Sequence, residues 1–236
     1  MTTSVGHESA GASGSARPLV RAGSAGDAFA AARLHARHIP TGFLSLLGPS
    51  LLARLYRRVA RSHDCFLLVA EGDGKTVGFL AGSLDTRGLF RRFVVLDGPL
   101  VALTTGWALV RHWRQALETL LGARIRQPGV EPNTHGVAAG VEAELLSVAV
   151  DDEYRGAGLG SALTRQFLAE AARRGAGSAR VVVGATNDDA VKVYVRCGFA
   201  AVEQFEHHRG TASLLMRCRL VPPSAVQDRS GPVAPA

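Results

Sequence analysis

Lysine is nearly missing from this chain of 236 residues. Lys75 and Lys192 are the only two among its 27 lysines and arginines, so arginine carries almost all of the formal charge of +7. Aromatic residues are sparse as well, at 6%. With no clustered Lys/Arg run interleaved with aromatics, the chain lacks the electrostatic track and the stacking platforms of a nucleic-acid binder, and no such partner is expected. Cysteine is scarce too. Cys65, Cys197 and Cys218 are scattered and form no CxxC pair, which excludes a disulfide scaffold and makes a reducing, cytoplasmic setting the expectation. Long apolar runs are almost absent. The one candidate, Phe93 to Val110, contains Asp97 and is broken at Asp97-Gly98-Pro99, so a spanning helix is disfavoured and no stable membrane insertion is expected. What remains is 47% hydrophobic and 20% charged, a globular balance that excludes a mostly disordered chain.

Residues 1–16 are mostly Ser, Gly, Ala and Thr, without a basic start or an apolar core, and read as a flexible tail rather than a secretory signal. The Pro-rich residues 222–236 read the same way, which leaves residues 17–221 as one folded domain. Within it, Val20 to Arg21 suits an edge strand. Asp27 suits the cap of a helix whose apolar face begins with Phe29, Ala32, Leu34 and His35. A second helix after Pro49 carries Leu51, Leu52, Leu55, Tyr56 and Val59 on one stripe. Cys65 to Ala70 and Thr76 to Ser83 form a hairpin about Gly72-Asp73-Gly74. Farther on, Arg111 to Leu121 reads as helical and Pro128 to Gly140 as a loop. The pattern then sharpens into strand Glu142 to Val150, helix Gly158 to Arg174, strand Ala179 to Gly184 and helix Asp188 to Arg196. Strands Phe199 to Phe205 and Ser213 to Leu220 follow. Hairpin strands followed by a strand–helix–strand–helix unit imply a mixed sheet with helices packed on it.

Arg155-Gly156-Ala157-Gly158-Leu159-Gly160-Ser161 lies between a strand and a helix. Glycines there let backbone N–H groups converge on one concavity, and the following helix N-terminus adds partial positive charge, so the turn suits a pyrophosphate. A dinucleotide fingerprint fails, because its third glycine is replaced by Ser161 and Gly175 to Arg180 lacks the required acid. Gly74-Lys75-Thr76 imitates the end of a P-loop, but Val69 stands where the upstream glycine belongs. A bare tight turn is the bland alternative.

Arg155-x-x-Gly158-x-Gly160 resembles the Q/R-x-x-G-x-G/A signature of the GNAT superfamily of N-acetyltransferases, in its usual place between a strand and a long helix. Asn187-Asp188-Asp189-Ala190, Tyr194 and Cys197-Gly198-Phe199 are similar to that superfamily's N-x-x-A…Y…x-G-F segment. Together the motifs span Glu142 to Phe205. The resemblance implies an α/β fold of the α+β kind, with a mixed, mostly antiparallel sheet flanked by helices. It also implies acetyl-CoA as the acyl donor, with no metal. The pyrophosphate would lie on backbone groups of Gly156, Ala157, Gly158, Leu159, Gly160 and Ser161, with Arg155 among the donor-binding residues. The pantetheine arm would run beside Ser147, Val148, Ala149 and Val150, with Asn187 and Ala190 also near the donor. Asn187 suits either a pantetheine contact or a helix cap.

Acyl transfer to an amine needs a neutral nucleophile, a polarised carbonyl and a proton for the departing thiolate. Tyr194 is the candidate acid, since a phenol stays protonated at neutral pH; a core role is its alternative. Glu144, eleven residues before Arg155, resembles the basic glutamate of the histone-acetylating branch and is the candidate base, against a surface carboxylate. Strict alternation would put Glu142, Glu144, Leu146 and Val148 on one face. Asp152 or Glu153 can orient Arg155. His35, His38, His207 and His208 are candidate bases or acceptor contacts, but they lack a third ligand at zinc spacing. Cys197 has no positioned base and is not expected to form an acyl-enzyme.

About sixty residues, 85–140, separate the hairpin from the motif strand where the family uses a short connection. This helical insertion reads as buried packing, as an acceptor wall or dimer surface, or as a membrane-surface dock. With Ile39 to Gly48 it loosely resembles bacterial cell-surface glycan-associated members. The expectation is therefore acetyl transfer from acetyl-CoA to a primary amine of a small molecule or amino sugar, by direct attack in a ternary complex. A homodimer is compatible with it. A protein amine acceptor and a non-catalytic acyl-CoA-binding module are the alternatives.

Overall fold

Side chains that alternate between two buried faces along the hairpin strands set up the layers. In a computed structural model that describes residues 18–39, 44, 48–97, 140–207 and 211–221, β2 (Cys65–Gly72) sends Cys65, Leu67 and Val69 to one side of the sheet. Phe66, Leu68 and Ala70 go to the other. The first side is covered by α1 (Ala28–His38), α2 (Gly48–Arg61) and α3 (residues 86–97), whose Ala31, Leu52, Tyr56 and Phe93 are buried against it. The second side is covered by α4 (Leu159–Arg173) and α5 (Asp188–Arg196).

Seven strands make one sheet in the order β1-β2-β3-β4-β5-β7-β6. Besides β2 they are β1 (Leu19–Ala22), β3 (Lys75–Ser83), β4 (Val141–Val150), β5 (Ala176–Gly184), β6 (Ala200–His207) and β7 (Thr211–Arg219). Every neighbouring pair is antiparallel except β4 with β5, which the α4 crossover makes parallel. The expected mixed, mostly antiparallel sheet with flanking helices is present. Asp73 and Gly74, at φ +51 and +71, turn the β2–β3 hairpin.

The α4 stripe of Leu159, Leu163, Phe167 and Ala171 is buried, and each large apolar side chain there contributes on the order of 2 kcal/mol. Close approach of α4 to β3 depends on glycine: a Cβ at Gly82 would lie 2.8 Å from the Phe167 ring. Arg174, just past α4, stacks 4.8 Å over Phe66 and donates to the carbonyls of His63 and Cys65 at 2.7 and 3.0 Å, locking the helix to β2.

Two local expectations fail. Phe29 points to solvent at 58% exposure, because α1 buries the face of Ala28, Ala31, Ala32 and His35 instead. Asp27 occupies the N-cap position of α1, but its side chain makes no cap hydrogen bond. Its carboxylate accepts from Arg21 at 2.9 and 3.1 Å and from the Ser24 amide at 2.7 Å. Residues 1–17, 98–139 and 222–236, and with them both tails, the Arg111 to Leu121 helix and most of the insertion, lie outside the described residues.

Candidate active site

The parallel β4–β5 ladder runs from Val141↔Ala176 to Leu145↔Val181 and stops, although β4 continues to Val150 and β5 to Gly184. Beyond Leu145, β4 stays paired only with β3, so its edge toward β5 presents unpaired backbone groups to the gap. A bulge sits at the point of parting. Between Ser147 and Leu145 the strand spends two steps against the single step Ala81 to Gly82, leaving Leu146 extra.

The bulge overturns the alternation expected along β4. Leu146 and Ala149 pack with α1–α2, whereas Ala143, Leu145, Val148 and Val150 pack on the α4 side, so Val148 does not share a face with Leu146. Ser147, at the bulge, donates through Oγ to the Leu146 carbonyl at 2.8 Å. The hydroxyl of buried Tyr56 lies 2.6 Å from Nδ1 of His35. His35 thus belongs to the core, and burial pushes it down to about 4, so it is neutral at pH 7.

The glycine loop sits at the open end of the gap. Asp151 begins a single 3₁₀ turn (Asp152–Tyr154) by accepting from the Asp152 amide at 2.8 Å. Tyr154 ties that turn to the β2–β3 hairpin by donating to Asp73 at 2.8 Å. Gly156 and Gly158 then adopt φ +78 and +80, with nothing near an added Cβ, so backbone conformation and not crowding requires glycine. Ala162 makes the first bond of α4, to Gly158, so the amides of Leu159, Gly160 and Ser161 have no carbonyl within the helix to bond. Residues 155–158 are exposed, and the array fits an anion at a helix N-terminus.

Arg155 donates to Nδ1 of His38 at 3.2 Å and pairs with Asp152 at 3.0 Å, so Asp152 is the acid that orients it. Asn187 is the α5 cap: its Oδ1 accepts from the Ala190 amide at 3.2 Å. Glu144 is buried, at 6% exposure. Its Oε2 accepts from Thr86 at 2.8 Å and from Arg180 at 2.9 Å, at the register step just before the ladder ends. Glu142 joins Arg180 at 3.4 Å to Arg217 at 3.0 Å, extending the charged row across β4, β5 and β7. Tyr194 is 4% exposed, with its ring 5.7 Å from Phe199, and burial raises its pKa. Among the described residues its hydroxyl has no hydrogen-bond partner. Burial also raises the Cys197 thiol, against a thiolate nucleophile. His208 and the His207 side chain lie outside the described residues.

Arg180 and Thr86 are not legible as site residues in the sequence. The one available signal is Arg180 itself, a charge inside the apolar strand Ala179 to Val183.

The model of the acetyltransferase (GNAT) family matches residues 37–199, and the chain belongs to that family. Its fold is similar to Ard1 from Thermoplasma volcanium (20% identity, TM-score 0.55, covering 87% of this chain and 99% of that one). It is also similar to a ribosomal-protein-alanine N-acetyltransferase from Brucella melitensis (18%, 0.55, 86% and 99%). A third likeness is to yncA from Salmonella typhimurium, solved with its cofactor acetyl-CoA (15%, 0.54, 93% and 99%). No curated protein matches the chain.

Proposed function

We propose that the protein is an N-acetyltransferase that moves an acetyl group from acetyl-CoA to a primary amine of a small molecule or amino sugar. The observation that carries this reading is the parting of β4 and β5 at Leu145↔Val181 next to the positive-φ glycine loop. The gap offers unpaired β4 backbone to an extended amide-bearing arm, and the loop offers amides to a pyrophosphate. In this reading Arg155 and residues 156–161 hold the diphosphate, Ser147 to Val150 align the pantetheine arm and Asn187 and Ala190 border it.

Transfer proceeds in one ternary complex. The amine nitrogen attacks the thioester carbonyl, the C–N bond forms, and the C–S bond breaks. Backbone N–H groups of the bulged strand stabilise the oxyanion. Glu144 first takes the ammonium proton, directly or through water. As the intermediate collapses, the Tyr194 hydroxyl, which has no hydrogen-bond partner among the described residues, gives its proton to the departing thiolate. The second proton shed by the nitrogen passes through solvent to restore the phenol. His35, held in the core by Tyr56 at 2.6 Å, and Cys197, whose thiol pKa is raised by burial, are given no part in the transfer.

Burial of Glu144 in an ion pair favours a second reading, an acyl-CoA-binding module without turnover. A thiol-release screen across amino sugars, polyamines, amino acids and peptides separates the two. The proposal expects release that depends on one amine class. Tight CoA binding with no release across the panel rejects it.

A further inference from the structure

A second cleft, of about 480 Å³, opens between α2 and α3. Arg54 lies three and four positions before Arg57 and Arg58, and Arg61 lies four and three after them, which gathers the four on one face of α2, and Arg92 lines the cleft from α3. Like charges at these spacings repel, so the arrangement calls for counter-charge. Part of it is built in. Asp97, with a side chain only 13% exposed, pairs with Arg58 at 2.7 Å and Arg54 at 3.9 Å, and Asp64 pairs with Arg92 at 3.6 Å.

The remainder is not. Among the described residues, no carboxylate lies within ion-pairing distance of exposed Arg57 or Arg61, and the buried Nε of Arg58 has no hydrogen-bond acceptor. Five guanidiniums thus line a concave site whose one lining carboxylate is Asp97, with Asp64 outside the lining, and Asp97 holds Arg58 by a 2.7 Å hydrogen bond.

This cleft is not the diphosphate loop of the proposed active site. His63, on its rim, accepts through its carbonyl from Arg174 at the C-terminal end of α4, whereas the glycine loop opens the N-terminal end. Fifteen helical residues between them rise about 22 Å.

We infer that the cleft binds a phosphorylated small molecule. Guanidinium forks bond phosphate oxygens two at a time, and a single concave site falls in the roughly 300–1,000 Å³ range of small-ligand pockets rather than presenting a flat track for a polymer. The inference stands apart from acetyl transfer and survives if that reading fails.

Inorganic pyrophosphate is the probe, titrated calorimetrically into the full chain with the glycine loop saturated by CoA. One saturable site is expected. R57A/R61A should weaken it about tenfold or more, and R57K/R61K, which keeps charge but loses the forks, should fall between. CoA affinity and melting temperature should not move, because both arginines are exposed. Unchanged pyrophosphate binding in R57A/R61A, or no pyrophosphate binding once CoA is saturating, overturns the inference. So does an Arg57- and Arg61-dependent affinity for phosphatidylglycerol vesicles without affinity for pyrophosphate, which would make this face a membrane dock.

Discussion

Glu144 and Arg180 stand opposite each other in the parallel β4–β5 ladder, one register step before it ends, and their side chains meet at 2.9 Å. The pair fixes the candidate base at the place where the two strands begin to part. Its neighbours also make it testable, since Thr86 holds the same carboxylate oxygen from α3.

Glu144→Gln keeps shape and a hydrogen-bonding oxygen but cannot take a proton. For a general base, kcat/KM should fall on the order of 10²–10⁴-fold and the acid limb of its pH profile should vanish, with CoA affinity unchanged. A lower melting temperature with an intact pH profile would assign Glu144 to scaffolding alone.

Tyr194→Phe preserves the packing on Phe199 and removes only the hydroxyl. As the proton donor to the thiolate, Tyr194 should cost the variant about 10²-fold in kcat while KM for acetyl-CoA and the melting temperature stay close to wild type. Full activity in this variant would return Tyr194 to a core role.

Gly158→Ala puts an L side chain at φ +80 with no atom near the new methyl, so the penalty is backbone strain of about 1–2 kcal/mol. The loop should relax away from its present shape and CoA affinity should drop. Gly160→Ala, inside α4 with its Cβ 3.8 Å from Val193, should bind CoA nearly as wild type does. Calorimetric titration of both variants checks the contrast.

Acid unfolding should show two windows. Buried His35 sits at about 4 in the fold against an ordinary 6.5, so the unfolded chain protonates first; stability is full above 6.5 and declines as pH falls toward 4, by on the order of 3 kcal/mol. Asp27, bonded by Arg21, is lowered from 3.8 to about 2, and its contribution is lost between those values. Denaturant melts across pH should show His35→Gln flattening the upper window and Asp27→Asn the lower one.

Local periodicity made much of this legible. The stripe from Leu159 to Ala171, the hairpin strands and the glycine turn each follow from spacing within a few residues. Four features do not, because their causes are distant in the chain. Leu146 becomes extra only through pairing with Ala81 and Gly82, so simple alternation misplaced Val148. Arg180 reaches Glu144 across 36 residues, and His35 is drawn into the core by Tyr56, 21 residues away. Strand β5 starts at Ala176 rather than Ala179 because Val141 and Glu142 provide partners there.

The central claim is direct transfer from acetyl-CoA in the β4–β5 gap to an amine. Initial velocities measured over a grid of acetyl-CoA and amine concentrations test it most directly, combined with the intact mass of the enzyme after acetyl-CoA alone. Intersecting double-reciprocal lines and an unmodified enzyme are predicted. Parallel lines with an acetylated enzyme would contradict the account.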